Sequence, residues 1–328
     1  PGRCCNIYSM DKTSKNKIKK EILLANPRGF CAGVERAIEI VEKSLEKYDC
    51  PVFVRHHVVH NKKVVESLES KGVTFVKEVD EIPDESIAIF SAHGVSEDVE
   101  ISANSRNFKY FDATCPLVTK VHLEVKKHAK QGRDIILIGH KGHPEVVGTL
   151  GRHPKHSNTK IILVETENDV KSLNVNGEKL AFVTQTTLSV DETKEIIRAL
   201  KKKFPKIVGP NADDICYATQ NRQDAVKQLS LESDLVIVIG SKSSSNSNRL
   251  KELAEKCGTA SCLIDGYEDL NTSLLEDKTV VGITAGASAP EYIVDELIAF
   301  LSKFDFKDVR NLSKNNENVN FKLPRELQ

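Results

Sequence analysis

Residues 26–34 read Asn-Pro-Arg-Gly-Phe-Cys-Ala-Gly-Val and lie between a short apolar run, residues 22–24, and a helical pattern that starts at Val34. In that pattern apolar residues recur every three or four positions, which is typical of one face of a helix. Cys31 is therefore predicted to lie in a turn between a strand and a helix, where open α/β sheets place their ligands. The start of a helix also favours a thiolate over a thiol.

The chain repeats this arrangement twice more. Cys115 and Cys216 are each followed by a helical pattern and then by an apolar strand, which ends 24 residues after the cysteine at Gly139 and Gly240. The strand that follows Cys31 ends at the same spacing. A unit of cysteine, helix, strand, polar turn and helix thus occurs three times, with a period longer than that of solenoid repeats.

Each copy continues into a further apolar strand that leads into a polar turn, at residues 87–94, 180–187 and 280–288. Three lobes of this kind, each with a small parallel sheet and right-handed crossovers, would direct the carboxyl ends of their strands at a common centre. We therefore predict an α/β fold with three similar small parallel-sheet lobes in a pseudo-threefold arrangement around a central cluster site.

The repeat also divides the chain. The predicted segments are lobes at residues 18–112, 113–212 and 213–303, and a tail at residues 304–328 that packs back on the body. Apolar residues alternate with polar ones at positions 319–323 and predict a strand in that tail. Residues 1–17 are polar and irregular, and we expect a disordered segment or the remnant of a targeting sequence. A removed targeting sequence would indicate a plastid-type organelle (apicoplast or plastid), and otherwise we expect the cytoplasm.

Charge and hydropathy exclude several classes of protein. The 328 residues include 47 basic and 47 acidic side chains, so no excess charge points to nucleic acid or to an anionic membrane. The longest apolar runs are about five residues, far shorter than a membrane span. A length of this size suits two or three small domains with a sizeable core.

The eight cysteines do not have the spacing of a disulfide framework, because three share a repeat position and five do not. Cys257 lies on the apolar face of a predicted helix and Cys262 beside a predicted strand, so both are expected to be small buried hydrophobic residues. Cys4, Cys5 and Cys50 follow no pattern. This usage fits a reducing compartment.

Three thiolates at equivalent points of three lobes indicate a metal centre. They could hold zinc with one open position, or an iron–sulfur cluster with one iron left free. Zinc sites usually use paired ligands two to four residues apart, and the chain has no C-x-x-C pair. The wide separation favours the cluster, and zinc stays open as the alternative.

Polar side chains in the predicted turns point to an anionic substrate. Helix starts at three of these turns favour an anion, and neither a P-loop nor a G-x-G-x-x-G fingerprint is present, so we expect a phosphate or diphosphate on a small molecule. The residues expected around the centre are His60, His93, His143, Ser244, Ser245, Asn246 and Ser288. The remaining histidines of these turns, His56, His57 and His140, are predicted to be structural.

Glu145 is the single carboxylate in the central turns. Beside a metal centre it could donate protons, and at the start of a helix it could equally serve to stabilise the helix dipole. The dipole favours its ionised form, which has no proton to give. We therefore predict that Glu145 relays a proton, through Thr186 or the phosphate of the substrate.

The chain resembles the LytB (IspH) family of 4-hydroxy-3-methylbut-2-enyl diphosphate reductases, which complete the non-mevalonate pathway to isoprenoids. The motifs that carry the resemblance lie at residues 26–34, 58–61, 91–96, 112–116, 142–148, 184–191, 241–250 and 284–291. They follow in order through nearly the whole chain. The lysine-rich start and the asparagine-rich tail depart from the family pattern, and both lie outside these motifs.

The resemblance implies that Cys31, Cys115 and Cys216 hold a 4Fe–4S cluster with an open fourth iron. It also implies that the histidines, serines and Asn246 named above bind the diphosphate. The catalytic residues would be Glu145, Thr186 and His143, of which Glu145 supplies protons and Thr186, helped by Gln185, orients the substrate hydroxyl. The implied reaction gives isopentenyl and dimethylallyl diphosphate. No nicotinamide or flavin fingerprint is present, so the electrons would come from a ferredoxin or flavodoxin.

Two other functions remain possible for the same residues. The three thiolates could serve a zinc hydrolase or lyase, which metal analysis would distinguish from a cluster enzyme. A non-catalytic iron–sulfur protein could sense redox state or a phosphorylated metabolite, but a sensor has no need of Glu145 or Thr186.

Overall fold

The computed structural model describes residues 19–210, 214–312 and 317–328. The expectations for residues 1–17, including Cys4 and Cys5, fall outside these ranges. In the described part, no helix is both long enough and apolar enough to cross a membrane.

The order of strands and helices follows the repeated unit. The strands are β1 (Lys20–Leu24), β2 (Val52–Arg55), β3 (Val73–Val76), β4 (Ile87–Phe90), β5 (Lys109–Asp112), β6 (Asp134–Ile138), β7 (Ile161–Val164), β8 (Leu180–Thr184), β9 (Leu235–Ile239), β10 (Ala260–Ile264), β11 (Val280–Ala285) and β12 (Phe306–Asn311). The helices are α1 (Ala32–Lys47), α2 (Lys62–Ser70), α3 (Glu97–Asn104), α4 (Pro116–Lys130), α5 (Pro144–Leu150), α6 (Glu167–Ser172), α7 (Val190–Lys203), α8 (Tyr217–Glu232), α9 (Ser245–Lys256) and α10 (Glu291–Leu301).

Three parallel sheets form the centres of three lobes. Over the described residues their strand orders are β3-β2-β4-β5, β7-β6-β8 and β10-β9-β11-β1-β12. Buried apolar clusters lie on both faces of each sheet, as expected when helices cover a parallel sheet. The predicted α/β fold with three small parallel-sheet lobes is confirmed.

The three copies of the repeat are visible in the helices. α1, α4 and α8 each begin at the residue after Cys31, Cys115 and Cys216, and each cysteine is the N-cap. Each helix leads into an inner strand of a sheet (β2, β6 or β9), and that strand leads through a polar turn into α2, α5 or α9. The carboxyl ends of these inner strands therefore face the same region as the cysteines.

The strand before each cysteine belongs to the sheet of the preceding lobe. β5, which precedes Cys115, pairs with β4 of the first sheet, and Val208, which precedes Cys216, forms a bridge to β8 of the second. In the same way β1, which precedes Cys31, pairs with β11 and β12 of the third sheet. The predicted first lobe, residues 18–112, therefore contains one strand of the third sheet, because β1 (Lys20–Leu24) pairs with β11 and β12.

The tail differs from the prediction in its strand. The strand lies at Phe306–Asn311, where it pairs with β1, whereas residues 319–323 form no strand. Phe306 and Leu312 are buried in the third lobe, while Leu323 and Leu327 pack against the core of the first. The apolar residues of the tail thus contact two lobes, the third through Phe306 and Leu312 and the first through Leu323 and Leu327.

The described cysteines are free thiols. Cys262 lies in β10 and is half-buried, but Cys257 is exposed, so the prediction that it is a buried residue is wrong. The reason is its position at the C-cap of α9, where the apolar face of the helix has already left the core.

Candidate active site

The polar turns and the three cysteines surround one central cavity of about 100 Å³. The residues that line it are Cys31, Gly33, Val34, Val59, His60, Ala92, His93, Cys115, Leu117, Val118, His143, Glu145, Thr186, Thr187, Cys216, Thr219, Ser244, Ser245, Asn246, Ala287 and Ser288. Apart from Gln185, every side chain predicted for the site is among them. The lining contains no lysine or arginine, and Glu145 is its single carboxylate.

The three thiols lie close together on one side of the cavity. A Cβ placed on Gly33 would lie 2.6 Å from the Sγ of Cys115 and 3.9 Å from that of Cys31, so both sulfurs border a space that only glycine leaves free. The Sγ of Cys216 accepts a hydrogen bond from the backbone N–H of Thr219 at 3.4 Å. Three helix N-termini thus present their positive ends to three sulfurs.

Burial opposes ionisation of the Cys115 and Cys216 thiols. It raises the pKa of Cys115 to about 12 and that of Cys216 to about 11, and repulsion between the cysteines adds to both shifts. A bound metal must therefore displace their protons, as metal binding to thiols generally does.

The three thiols are the residues of the cavity that could bind zinc or an iron–sulfur cluster. Among the described residues, no three His, Cys, Asp or Glu side chains come close enough to hold one metal ion. All three thiols line the same cavity, and two of the sulfurs border the space beside Gly33. Three thiolates are also the ligand set that leaves one iron of a 4Fe–4S cluster free.

Three histidines form a tight group in the lining of the same cavity. The ring centroids of His60 and His93 lie 4.1 Å apart, and those of His60 and His143 lie 5.4 Å apart. Burial is the main cause that lowers the pKa of His60 to about 4, that of His143 to about 3 and that of His93 well below its usual range. These rings are therefore neutral donors at pH 7, each with a single N–H.

Several donors point into the cavity without a partner. The Nδ1 of His143 accepts from the backbone N–H of Glu145 at 3.2 Å, which leaves the ring proton on Nε2. The Oδ1 of Asn246 accepts from the N–H of Ala287 at 3.0 Å, which turns its Nδ2 donor the other way. The Nδ2 of Asn246 and the Nε2 of His60 are buried and have no hydrogen-bond partner among the described residues. Unpaired buried donors are costly, so they indicate a ligand with several acceptor atoms.

The serines join the lobes around this group. Ser288 donates to the carbonyl of His60 at 2.9 Å, and Ser245 donates to the carbonyl of Thr187 at 3.2 Å. Ser244 is the N-cap of α9, and its hydroxyl oxygen accepts from the backbone N–H of Ser247. Its own hydroxyl proton remains available to the cavity.

Glu145 lies deep in the wall, and its side chain contacts Thr186. Its Oε1 accepts from the backbone N–H of Thr186 at 2.7 Å and its Oε2 from the hydroxyl at 3.0 Å. Burial nevertheless raises the pKa of Glu145 to about 7, with a contribution from the charge of Asp214. The expectation that the helix dipole keeps this acid ionised is therefore wrong, because desolvation outweighs the dipole and both hydrogen bonds.

Known proteins resemble the chain over nearly its whole length. A family model described as LytB protein matches residues 22–302. The 4-hydroxy-3-methylbut-2-enyl diphosphate reductases of Pseudomonas putida (strain GB-1) and Acinetobacter baumannii (strain AYE) are 57% and 56% identical to it, covering 94% of this chain and 98% of each relative. The solved E-1-hydroxy-2-methyl-but-2-enyl-4-diphosphate reductase from Plasmodium falciparum superimposes with a TM-score of 0.90 at 40% identity, covering 94% of this chain and 97% of that one.

The chain belongs to the LytB family. The resemblance seen in the sequence is thereby confirmed. A second solved structure, of (E)-4-hydroxy-3-methyl-but-2-enyl diphosphate reductase, superimposes with a lower TM-score of 0.63 at 32% identity, covering 87% of this chain and 99% of that one.

Gln185 is the predicted site residue that this LytB chain keeps outside the cavity lining. Its Oε1 accepts from the backbone N–H of His140 at 3.0 Å, and its Nε2 donates to the hydroxyl of Thr187 at 2.9 Å. The side chain therefore joins the turn after β6 to the turn after β8. In this structure it supports Thr186 through the backbone.

Sequence reasoning missed two buried charged residues of this LytB chain that lie outside the cavity lining. Asp214 is buried and accepts from the N–H of Thr184 at 3.0 Å and from Lys120 at 3.1 Å. Burial raises the pKa of Asp214 to about 6. Arg222 is fully buried on α8, the helix that Cys216 begins. For Arg222 the sequence did carry a signal, because a charged side chain on the apolar face of a helix indicates a buried partner.

Proposed function

We propose that this LytB chain removes the hydroxyl group of (E)-4-hydroxy-3-methylbut-2-enyl diphosphate by reduction, giving isopentenyl and dimethylallyl diphosphate. Reductase activity in the non-mevalonate pathway follows from membership of the family, and the proposal assigns its parts to residues. The observation that carries it is the shared cavity, in which three thiols, a group of neutral donors and one buried acid face each other. The C–O bond breaks, a C–H bond forms and water leaves, which consumes two electrons and two protons.

Cys31, Cys115 and Cys216 would hold a 4Fe–4S cluster. The space beside Gly33 and the helix N-termini at the three sulfurs support this assignment. When bound, the cluster would supply the electrons one at a time and one open iron position. A ferredoxin or flavodoxin would deliver these electrons, since the chain has no nicotinamide or flavin fingerprint.

The diphosphate would bind among His60, His93, His143, Ser244, Ser245, Asn246 and Ser288. Support comes from the unpaired donors of His60 and Asn246 and from the free Nε2 proton of His143. The N-termini of α5 and α9 add their positive ends. Because the lining has no lysine or arginine, the substrate is held by neutral donors and is not drawn in by point charges.

Glu145 and Thr186 would handle the proton. A carboxyl group with a pKa near 7 is protonated often enough to donate and ionised often enough to be reloaded, which is the range that general acid catalysis needs. The protonated acid donates to the hydroxyl oxygen of Thr186, which frees the hydroxyl proton of Thr186 for the cavity. Thr186 thus orients the departing hydroxyl group of the substrate and passes the proton to it.

The test is an anaerobic reaction of the purified holoenzyme with the hydroxylated diphosphate and reduced ferredoxin, followed by product analysis. We expect both C5 diphosphates, and about four iron and four sulfide per chain. A preparation with that metal content that binds the substrate and forms no product, even with a strong chemical reductant, would contradict the proposal and favour a sensor. Zinc without sulfide would favour the hydrolase or lyase.

A further inference from the structure

Each cysteine helix carries a basic side chain that reaches the turn before the next cysteine. These residues are Arg36 on α1, Lys120 on α4 and Arg222 on α8, and they lie five, five and six positions after Cys31, Cys115 and Cys216. We call these three residues the basic ring. None of them lines the central cavity.

The contact of Arg222 is the most extensive. Its Nε and Nη2 donate to the carbonyl of Gly29 at 3.1 and 2.8 Å, and its Nη2 also donates to the carbonyl of Phe30 at 3.1 Å. These carbonyls belong to the two residues that precede Cys31. The helix of Cys216 therefore holds the backbone of the Cys31 turn.

The other two contacts repeat the same step around the ring. The Nη1 of Arg36 donates to the carbonyl of Thr114 at 3.2 Å, so the helix of Cys31 holds the residue before Cys115. The Nζ of Lys120 donates to the buried Oδ1 of Asp214 at 3.1 Å, so the helix of Cys115 holds the turn before Cys216. Each cysteine turn is thus tied to the helix of the preceding cysteine, and the three ties close a circle.

Residues near the end of the chain contact two members of the basic ring, Arg222 and Arg36. Residues 317–328, which we call the C-terminal strap, place the carboxylate of Glu317 3.1 Å from the Nη1 of Arg222. The fully buried guanidinium is thereby paired, as a buried charge requires. Further along the strap, the carbonyl of Lys322 accepts from the Nε of Arg36 at 2.9 Å.

We propose that the basic ring sets the spacing of the three cysteine turns and so holds the cluster-binding thiols at their mutual distances. The proposal rests on the proposed function for the identity of the group that the thiols hold. Its physical basis is general: partners that orient metal ligands from behind change metal affinity by about 10- to 100-fold when they are removed. Arg36, Lys120 and Arg222 are positioning residues, since none contacts the reacting atoms.

The geometry makes a directional prediction that needs no bound cluster. In the apoprotein, Arg36→Gln should speed amide hydrogen exchange in the Cys115 turn, and Lys120→Gln should speed it in the Cys216 turn. Each substitution should leave the other turn unchanged, because each side chain reaches one turn. Equal or no change at both turns would overturn the proposal.

The holoprotein gives the second readout, the rate at which iron is lost to a chelator. Arg36→Gln and Lys120→Gln should lose iron at least about tenfold faster than the unmodified protein, and Lys120→Arg should restore the slow rate. The matched controls are Lys43→Gln on α1 and Lys126→Gln on α4, whose ion pairs with Glu46 and Glu97 do not reach a cysteine turn. Iron loss no faster than in these controls would overturn the proposal, and so would iron loss that only parallels the thermal stability of the apoprotein.

Arg222→Gln removes the charged partner of Glu317, which keeps only its bond from Asn221, and this variant could fail to fold, so the decision rests on the two less buried members. Cys31→Ser is measured in parallel to separate the two proposals. If Cys31→Ser keeps its iron, the ligand assignment fails, while hydrogen exchange in the apoprotein still tests the basic ring. If Cys31→Ser loses iron and the ring variants behave like their controls, the basic ring alone is wrong.

Discussion

Thr186 donates two hydrogen bonds to the carboxylate of Glu145, one from its backbone N–H at 2.7 Å and one from its hydroxyl at 3.0 Å. Both bonds favour the ionised acid, yet burial raises the pKa of Glu145 to about 7. The pair can therefore exist in two forms at neutral pH. When the acid gains a proton, the hydroxyl bond reverses direction, and the hydroxyl proton of Thr186 turns toward the cavity.

Glu145→Gln should keep the cluster and bind substrate with near-native affinity while losing about 10²- to 10⁴-fold in turnover, the range for loss of a general acid. The amide keeps the shape but cannot give up and regain a proton. Turnover is measured with a chemical reductant, which removes the electron donor from the comparison. Glu165→Gln, in an exposed neighbouring turn, is the control and should be fully active. Near-native turnover of Glu145→Gln would move the proton source elsewhere.

Turnover should fall as the pH rises through about 7, because Glu145 then loses the proton that it donates.

The raised pKa of Glu145 also predicts how the free energy of unfolding of the apoprotein depends on pH. In the unfolded chain this carboxyl has its ordinary pKa near 4.3, so the raised value contributes stability that is full below that pH and lost as the pH rises through the folded value. The difference in unfolding free energy between unmodified protein and Glu145→Gln should shrink by about 3 kcal/mol from pH 4 to pH 8. Urea unfolding at both pH values measures it, and an unchanged difference would place the acid in water.

Serine at Cys31, Cys115 or Cys216 should abolish the charge-transfer absorbance of the cluster, whereas Cys50→Ser and Cys257→Ser should keep it. The reason is position: the first three are N-caps beside the cavity, and the other two lie elsewhere on the molecule. Absorbance after anaerobic reconstitution measures the outcome. Loss of the cluster in Cys50→Ser would contradict the assignment of the ligands.

Asn246→Ala should raise KM for the diphosphate, since it removes a donor that binds the charged group in the ground state and the transition state alike. A hydrogen bond to a charged group contributes about 1.5–3 kcal/mol, which corresponds to roughly 10- to 150-fold. Ser244→Ala should act in the same direction. Lys242→Ala is the matched control, because that side chain is exposed in the same turn and does not line the cavity. A larger effect at Lys242 would mean that point charges hold the substrate.

Gly33→Ala should fold but assemble little cluster. The new Cβ would lie 2.6 Å from the Sγ of Cys115, so the sulfur must move. Alanine favours the helix over glycine by about 1 kcal/mol, so the substitution should not destabilise α1 itself. Iron content and apoprotein melting temperature measure the two effects, with Glu35→Ala at an exposed position of α1 as the control. A full complement of iron in Gly33→Ala would contradict the packing of the thiols.

The spacing of three cysteines was sufficient to predict the lobes and the convergence of the site. Helix starts and strand ends are local features, and a repeated local feature predicts a repeated structure. The partner of a parallel strand is not local. Nothing in residues 20–24 indicates that this strand pairs with β11 and β12, more than two hundred positions away.

The protonation of Glu145 and the role of the basic ring could not be predicted from the sequence, because both depend on contacts between different lobes. The pKa of Glu145 depends on how completely other lobes exclude water from it, which is a property of the assembled cavity. Arg222 left a readable signal, since it falls on the same face of α8 as Ala218, Ala225 and Leu229, which are buried. A cation on an apolar face indicates a buried partner but does not identify it.

The pairing of β1 has a consequence for how the protein is made. Glu21 pairs with Val280, and Ile22 lies between Val281 and Val309, so β1 is synthesised more than two hundred residues before the strands with which it pairs. Until then the nascent chain carries an unpaired apolar strand, the kind of segment that aggregates or recruits chaperones during synthesis. Truncated translation products that stop before residue 280 should therefore be captured by a holdase chaperone through residues 20–25.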